Sequence, residues 1–109
     1  MLDLTAQTTK LYEIKLLDGQ VLELKRPTQA MQETTLKLNG LGSNNAKEVF
    51  TILLNLFARI LNRNEQGIQY KEKELAENYD VALMTTVIKD YFDYWNTEIQ
   101  DTVNFQVAQ

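Results

Sequence analysis

Residues 12–28 read YEIKLLDGQVLELKRPT, and this stretch decides the fold. Apolar and polar residues alternate on both sides of an Asp-Gly pair, which is typical of two half-buried strands joined by a hairpin turn. A two-residue loop would pair Ile14 with Glu23 and place a charge on the apolar face. A three-residue loop pairs Ile14 with Leu22 instead, and it puts Gly19 where the chain needs a left-handed residue. We therefore predict the three-residue loop.

The predicted hairpin needs a surface to lie against. Its apolar face combines side chains from both strands: Tyr12, Ile14, Leu16, Leu22 and Leu24. An isolated two-stranded hairpin is only marginally stable in water, so we expect this face to pack on helices. Lys15 and Lys25 lie on the outer face. They either protect the strand edges from unwanted pairing or flank an edge that is open to a partner strand.

Two helices are predicted directly after the hairpin. Thr28 is a typical N-cap for the first helix, and Gly40 is a typical stop. Asn45 and Glu48 have the spacing of a capping box, which opens a second helix that runs to about Asn62. Apolar side chains cover about 200° of this second helix, more than one neighbour can bury. It is predicted to be the central helix, in contact with the hairpin and at least one other helix.

The C-terminal half predicts a short helix and a long one. Residues 71–78 are highly charged and favour a short exposed helix, and Asp80 caps a last helix that runs to about Asp101. The tail, 102–109, alternates at three apolar positions. It is predicted to be loose, although it could pair with a partner strand. The polar residues 1–10 are predicted to form a loose N-terminal arm.

Together these elements predict one α+β domain, mainly α, over residues 1–109. Its N-terminal β-hairpin, 11–25, packs on a bundle of three to four helices within residues 28–101. A chain of 109 residues suits one domain with one modest core.

The composition excludes several kinds of chemistry for this chain. The chain has no Cys and no His, which excludes disulfides, thiol catalysis, thiolate metal sites and the commonest general base. Asp90 and Asp93 lie on the polar face of the last helix, where solvated surface is expected rather than a pair of catalytic carboxylates. We therefore expect no enzymatic activity, no cofactor and no metal ion.

The charge is unevenly distributed along the chain. The net charge is −4, and residues 65–109 carry three positive and nine negative charges. An acidic half repels phosphate backbones, so we expect no nucleic-acid partner. The acidic side chains of residues 65–109 either form a solvated helix face or attract a partner that has a basic patch. Residues 1–4 are acidic where a secretory signal is basic, and no apolar run reaches the length of a membrane span. A cytosolic location is therefore expected.

The aromatic cluster in the last helix is the most informative local feature. Its side chains either pack in the core or bind a partner. Partner binding stays possible because Tyr and Trp at the edge of an apolar face are typical interface anchors. The candidate partner-binding residues are Leu83, Val87, Tyr91, Tyr94 and Trp95. The two broad amphipathic helices carry more apolar surface than a core of this size needs, which favours a partner protein or a homo-oligomer.

Two segments carry a resemblance to a known family. They are residues 12–28, quoted above, and the run from ELAENYD (74–80) through YFDYW (91–95). With the order of elements, they resemble the tail assembly chaperones of long-tailed bacteriophages and prophages of Gram-positive hosts, over about residues 10–101.

The resemblance implies a non-enzymatic protein of the host bacterial cytoplasm that is absent from the virion. Such a protein binds the tape measure protein, keeps it soluble and helps to recruit tail tube subunits. Members of the family often have a longer product made by a translational frameshift. The resemblance assigns no functional role to any particular residue of this chain.

Two other functions stay open from the residues alone. A small phage structural subunit, such as a connector or tail-completion protein, has a similar α+β build. The helices around Gly40 also suggest the helix-turn-helix of a small regulatory adaptor. The second of those helices and its end, however, supply only Lys47, Arg59 and Arg63 as cations.

Overall fold

A computed structural model of the chain contains a β-hairpin followed by four helices. It describes residues 1–4, 10–41 and 45–107, and for residues 97–107 it describes the backbone only. The elements are β1 (Tyr12–Lys15), β2 (Val21–Leu24), α1 (Gln29–Asn39), α2 (Ala46–Leu61), α3 (Glu72–Asn78) and α4 (Val81–Val107). This order confirms the predicted α+β, mainly α, class. The middle of the predicted N-terminal arm, residues 5–9, lies outside the described residues.

The hairpin has the three-residue loop that the alternation predicts. The antiparallel register pairs the apolar residues with one another: Tyr12 with Leu24, and Ile14 with Leu22. The Leu16 N–H donates to the Gln20 carbonyl at 2.9 Å and closes the turn. Gly19 adopts a φ of 88°, a left-handed conformation that side chains with a Cβ rarely adopt. Because a one-residue slip would turn every side chain to the opposite face, this glycine helps to decide which face meets the helices.

The loop that follows α2 covers the second edge of β2. The Lys25 N–H donates to the Arg63 carbonyl at 3.0 Å, and the Glu65 N–H donates to the Glu23 carbonyl at 2.9 Å. The buried Asn64 side chain holds the loop in shape by donating to two neighbouring main-chain carbonyls at 2.8 and 2.7 Å. Of the two strands in the described hairpin, β1 is therefore the one whose outer edge is free of strand pairing.

Two of the three predicted helix caps are present. The Thr28 hydroxyl accepts a hydrogen bond from the Met31 N–H at 3.2 Å, and the Asp80 carboxylate accepts one from the Leu83 N–H at 2.8 Å. The predicted capping box at Asn45 is wrong, because this side chain makes no cap hydrogen bond. Its backbone, at φ −108° and ψ 40°, lies outside the extended conformation that aims a cap side chain at the first helical turn.

Helix α2 is central, as its wide apolar surface predicts. It contacts α1, α3, α4 and strand β2. Its buried residues are Leu53, Leu56, Phe57, Ala58, Ile60 and Leu61. The same apolar cluster includes Leu22 and Leu24 of the hairpin, Met31 of α1 and Leu75 of α3, together with the buried face of α4. One core therefore joins the hairpin to all four helices.

Helix α4 is longer than the sequence predicts. Its expected end is near Asp101, but the helix continues to Val107. It contains no Gly or Pro, so no residue in it breaks the helix. Alternating apolar residues do not make a strand unless a neighbouring strand pairs with them. The prediction of a loose tail is therefore wrong for residues 102–107, which are helical, and residues 108 and 109 lie outside the described residues.

Candidate functional site

The structure divides the five candidate partner-binding residues of α4 between core and surface. Tyr91 is 0% exposed and Trp95 is 1% exposed, so both side chains belong to the core. Neither side chain offers surface to a partner in this structure, and partner binding by these two residues stays a prediction. Val87 and Tyr94 are half-buried, and Leu83 is 39% exposed. The apolar face of α4 is thus sealed where the aromatic residues lie and partly open near its first turn.

The hairpin seals the aromatic part of α4 through ring and hydroxyl contacts. The Tyr12 ring stands edge-on to the rings of Tyr91 and Tyr94, with centroid distances of 5.5 and 5.4 Å. The Tyr91 hydroxyl donates to the Lys25 carbonyl, and the Tyr94 hydroxyl donates to the Leu11 carbonyl. Edge-to-face ring pairs with satisfied hydroxyls are favourable contacts. These tyrosines therefore hold the hairpin on α4.

The electrostatics of this junction favour protonated tyrosines. Burial raises the pKa of the Tyr91 hydroxyl, and the Arg63 guanidinium opposes part of that rise. Burial also raises the pKa of Tyr12, and its hydrogen bond to the Asp90 carboxylate raises it further. Both hydroxyls therefore serve as hydrogen-bond donors at neutral pH.

A groove of about 410 Å³ lies between the hairpin turn and α3. Its apolar lining comes from both sides: Leu16, Leu17, Leu75, Tyr70 and Tyr79. Leu75 is buried, whereas Leu17 is 64% exposed and leaves most of its side chain in water. The volume falls in the range of pockets that bind ligands. The groove is a concave surface on which an apolar group of another molecule can be placed.

The polar side chains of the groove are acidic or neutral. Asp18 of the hairpin turn lines it together with Glu74 and Asn78 of α3, and none of its described lining residues is basic. The pKa of Tyr70 is raised by burial first, and then by the Asp18 carboxylate and by Tyr79. The groove thus combines an apolar wall with the carboxylates of Asp18 and Glu74.

Contacts between the two walls fix the shape of the groove. The Asp18 carboxylate accepts a hydrogen bond from the Gln20 N–H at 2.9 Å, which holds the turn. The Leu17 N–H donates to the Tyr79 hydroxyl at 3.4 Å, and the Tyr79 ring packs on Phe57 of α2 at 5.1 Å. The hairpin turn is therefore tied to the end of α3 and to the central helix, so the groove is formed before any partner arrives.

No sequence pattern predicts this groove. Leu17 falls within the predicted three-residue loop, and no motif assigns a role to Tyr70. One signal is present in the sequence, because Leu17 is apolar within a short turn, where Gly, Asn, Asp and Ser are usual. No periodicity connects Leu17 with Glu74, since the two walls are distant in the chain and meet only through tertiary packing.

Other large apolar side chains are exposed singly on the helices: Leu36, Phe50, Val81 and Leu83. Scattered exposed apolar residues are normal on folded proteins, so these do not define a site by themselves. Across the described ranges, no group of three or more acidic side chains is placed to hold a metal ion. The same ranges contain no helix with the length and apolar character needed to cross a membrane.

No protein-family model, no curated protein and no solved structure matches this chain.

Proposed function

We propose that this protein is a non-enzymatic tail assembly chaperone that binds the tape measure protein of a long-tailed phage or prophage in the bacterial cytoplasm. The single observation that carries the proposal is the preformed groove, with its apolar wall, between the hairpin turn and α3. A chaperone that keeps another chain soluble binds its apolar segments and presents a charged surface to water. The net charge of −4 supplies that surface.

Binding by itself accounts for the chaperone activity in this proposal. Occupied apolar segments of the tape measure protein are withdrawn from aggregation, and the complex then recruits tail tube subunits. A binder that recognises one state of a chain stabilises that state by about 2.7 kcal/mol when its free concentration is about 100 times Kd. Modest affinity at each apolar segment is therefore sufficient while the chaperone is in excess.

Co-expression tests the proposal directly. The full chain is produced together with a tape measure protein, the long chain that it is proposed to bind, and the soluble fraction and the co-purified complex are measured. We expect more of the long protein in the soluble fraction and a complex that survives size-exclusion chromatography. An unrelated acidic protein of similar size is the control. Equal solubility with both proteins, and no complex, would exclude the chaperone function.

Mass spectrometry of purified phage particles separates the chaperone from a structural subunit. A chaperone is absent from mature particles, whereas a connector or tail-completion protein is present in them. Salt-sensitive binding to DNA below micromolar protein would instead favour the regulatory adaptor. Light scattering of the chain alone measures the homo-oligomer that its broad amphipathic helices predict.

A further inference from the structure

We infer that the groove between the hairpin turn and α3 binds a basic amphipathic segment of the partner, in which an apolar side chain lies next to Lys or Arg. The inference rests on the proposed protein-binding function and adds the chemistry that the groove recognises. The apolar wall takes the apolar side chain. The carboxylates of Asp18 and Glu74 take the neighbouring cation.

The exposed apolar surface of the groove favours an apolar side chain of the partner, because binding would bury that surface. Leu17 is 64% exposed although it borders the groove, so an apolar group placed there removes much of its surface from water. Burial of apolar surface is the dominant favourable contribution in most protein association, and it grows with the area removed from water. The Leu17 N–H donates to the Tyr79 hydroxyl at 3.4 Å and joins the two walls in the free chain, and a groove that exists before binding loses less entropy on binding.

The carboxylates that line the groove favour a basic residue of the partner. One carboxylate comes from each wall, Asp18 from the hairpin turn and Glu74 from α3, and no basic side chain lines the groove in the described part of the chain. The segment that contains α3, residues 65–109, carries a net charge of −6. A cation next to the apolar anchor is therefore attracted, and an acidic neighbour is repelled. Charge complementarity selects a basic segment over other apolar segments.

Two short synthetic peptides serve as probes. Each carries a pair of leucines, flanked by lysines in one peptide and by glutamates in the other. Each is titrated at low salt into the isotope-labelled full chain, followed by two-dimensional amide NMR. We expect the lysine peptide to shift the amide signals of Leu17 and Leu75 and to bind at least about tenfold more tightly than the glutamate peptide. Added salt should reduce this difference, because it screens exposed charges.

Charge-reversal variants identify the groove as the source of the selectivity. The double variant Asp18→Lys/Glu74→Lys should bind the glutamate peptide more tightly than the lysine peptide. The control Glu13→Lys/Glu77→Lys makes the same change in net charge on exposed residues that do not line the groove, and it should keep the original preference. Asp18→Asn/Glu74→Gln retains side-chain hydrogen-bond acceptors and should abolish the preference. If the charge-reversal variant does not fold, this neutral variant still tests the inference.

The results separate this inference from the proposed function. Equal binding of both peptides, shifts outside the groove, or loss of preference in the Glu13→Lys/Glu77→Lys control would overturn the groove inference. Such results leave a tape measure complex seen in co-expression intact. Conversely, charge-selective peptide binding in the groove without a tape measure complex supports the groove inference and overturns the proposed function.

Discussion

At the scale of single residues, two glycines have opposite conformational requirements. Gly19 has a φ of +88°, and a Cβ built on it meets nothing within 4 Å, so only backbone strain opposes a side chain there. Gly40 ends α1, as the sequence predicts, with φ −82°. A Cβ on Gly40 meets the carbonyl oxygens of Leu36 and Lys37 at 3.6 Å, which is an ordinary contact.

We expect Gly19→Ala to lower the free energy of unfolding by about 1–2 kcal/mol, because alanine is strained in the left-handed region. Gly40→Ala is the matched control. It should leave stability unchanged or raise it by up to about 1 kcal/mol, because alanine restricts the unfolded chain. Urea unfolding followed by circular dichroism measures both changes. Equal effects of the two substitutions would contradict the assigned turn.

The buried tyrosines predict a dependence of stability on alkaline pH. Burial raises the pKa values of Tyr91 and Tyr12, and Asp90 adds to the rise at Tyr12. The unfolded chain releases these protons near the ordinary pKa of about 10, before the folded chain does. Their stabilisation is therefore complete below about pH 10 and is lost as the pH rises above it.

We expect the free energy of unfolding to fall above about pH 10, and to fall less steeply in Tyr12→Phe/Tyr91→Phe. Urea unfolding at a series of pH values measures the slope. All other ionisable groups are the same in both proteins, so the difference between the slopes isolates the two hydroxyls. Identical slopes would show that neither hydroxyl holds its proton more tightly in the folded chain than in the unfolded chain.

At the scale of elements, the caps differ in what they contribute. Thr28 and Asp80 accept hydrogen bonds from the first turns of α1 and α4, whereas the Asn45 side chain makes no such bond to α2. We expect Thr28→Ala and Asp80→Ala each to lower the free energy of unfolding by about 1 kcal/mol. Asn45→Ala should change it by less than about 0.5 kcal/mol. Urea unfolding of the three variants checks this order, and a large loss for Asn45→Ala would contradict the absence of a cap bond.

The hairpin and helix starts are predictable because local residues decide them. Alternation around Asp18-Gly19 allows one register that keeps charges off the apolar face, and the observed pairs are those of that register. Thr28 follows Pro27 and caps α1 through a contact within one turn. Such features depend on neighbouring residues, so the sequence is sufficient to predict them.

The surface of α4 and the groove are not predictable in this way. The period of α4 identifies its apolar face, but the position of the hairpin decides which part is sealed, so Tyr91 and Trp95 are buried while Leu83 is exposed. The groove needs Leu17 and Tyr79 to meet across the fold. Contacts between distant segments depend on the complete packing, which propensity and periodicity do not contain.

At the scale of the whole molecule, one apolar core connects the hairpin to all four helices. Trp95, the single tryptophan, is 1% exposed in that core and lies beneath the Arg26 guanidinium, 5.6 Å from the ring centroid. Its fluorescence therefore reports on the junction between the hairpin and α4. Circular dichroism reports on all the helices at once, so the two signals follow different parts of the same structure.

We expect the two signals to give the same urea midpoint, because small proteins with a shared core unfold cooperatively. Tyr91→Phe removes the hydroxyl that donates to the Lys25 carbonyl and should lower the free energy of unfolding by about 1 kcal/mol. In a cooperative unit this substitution shifts both curves equally, although the contact lies at the hairpin. A fluorescence midpoint below that of circular dichroism would mean that the hairpin detaches first. The groove would then open before the helices unfold, since its hairpin wall depends on the same docking.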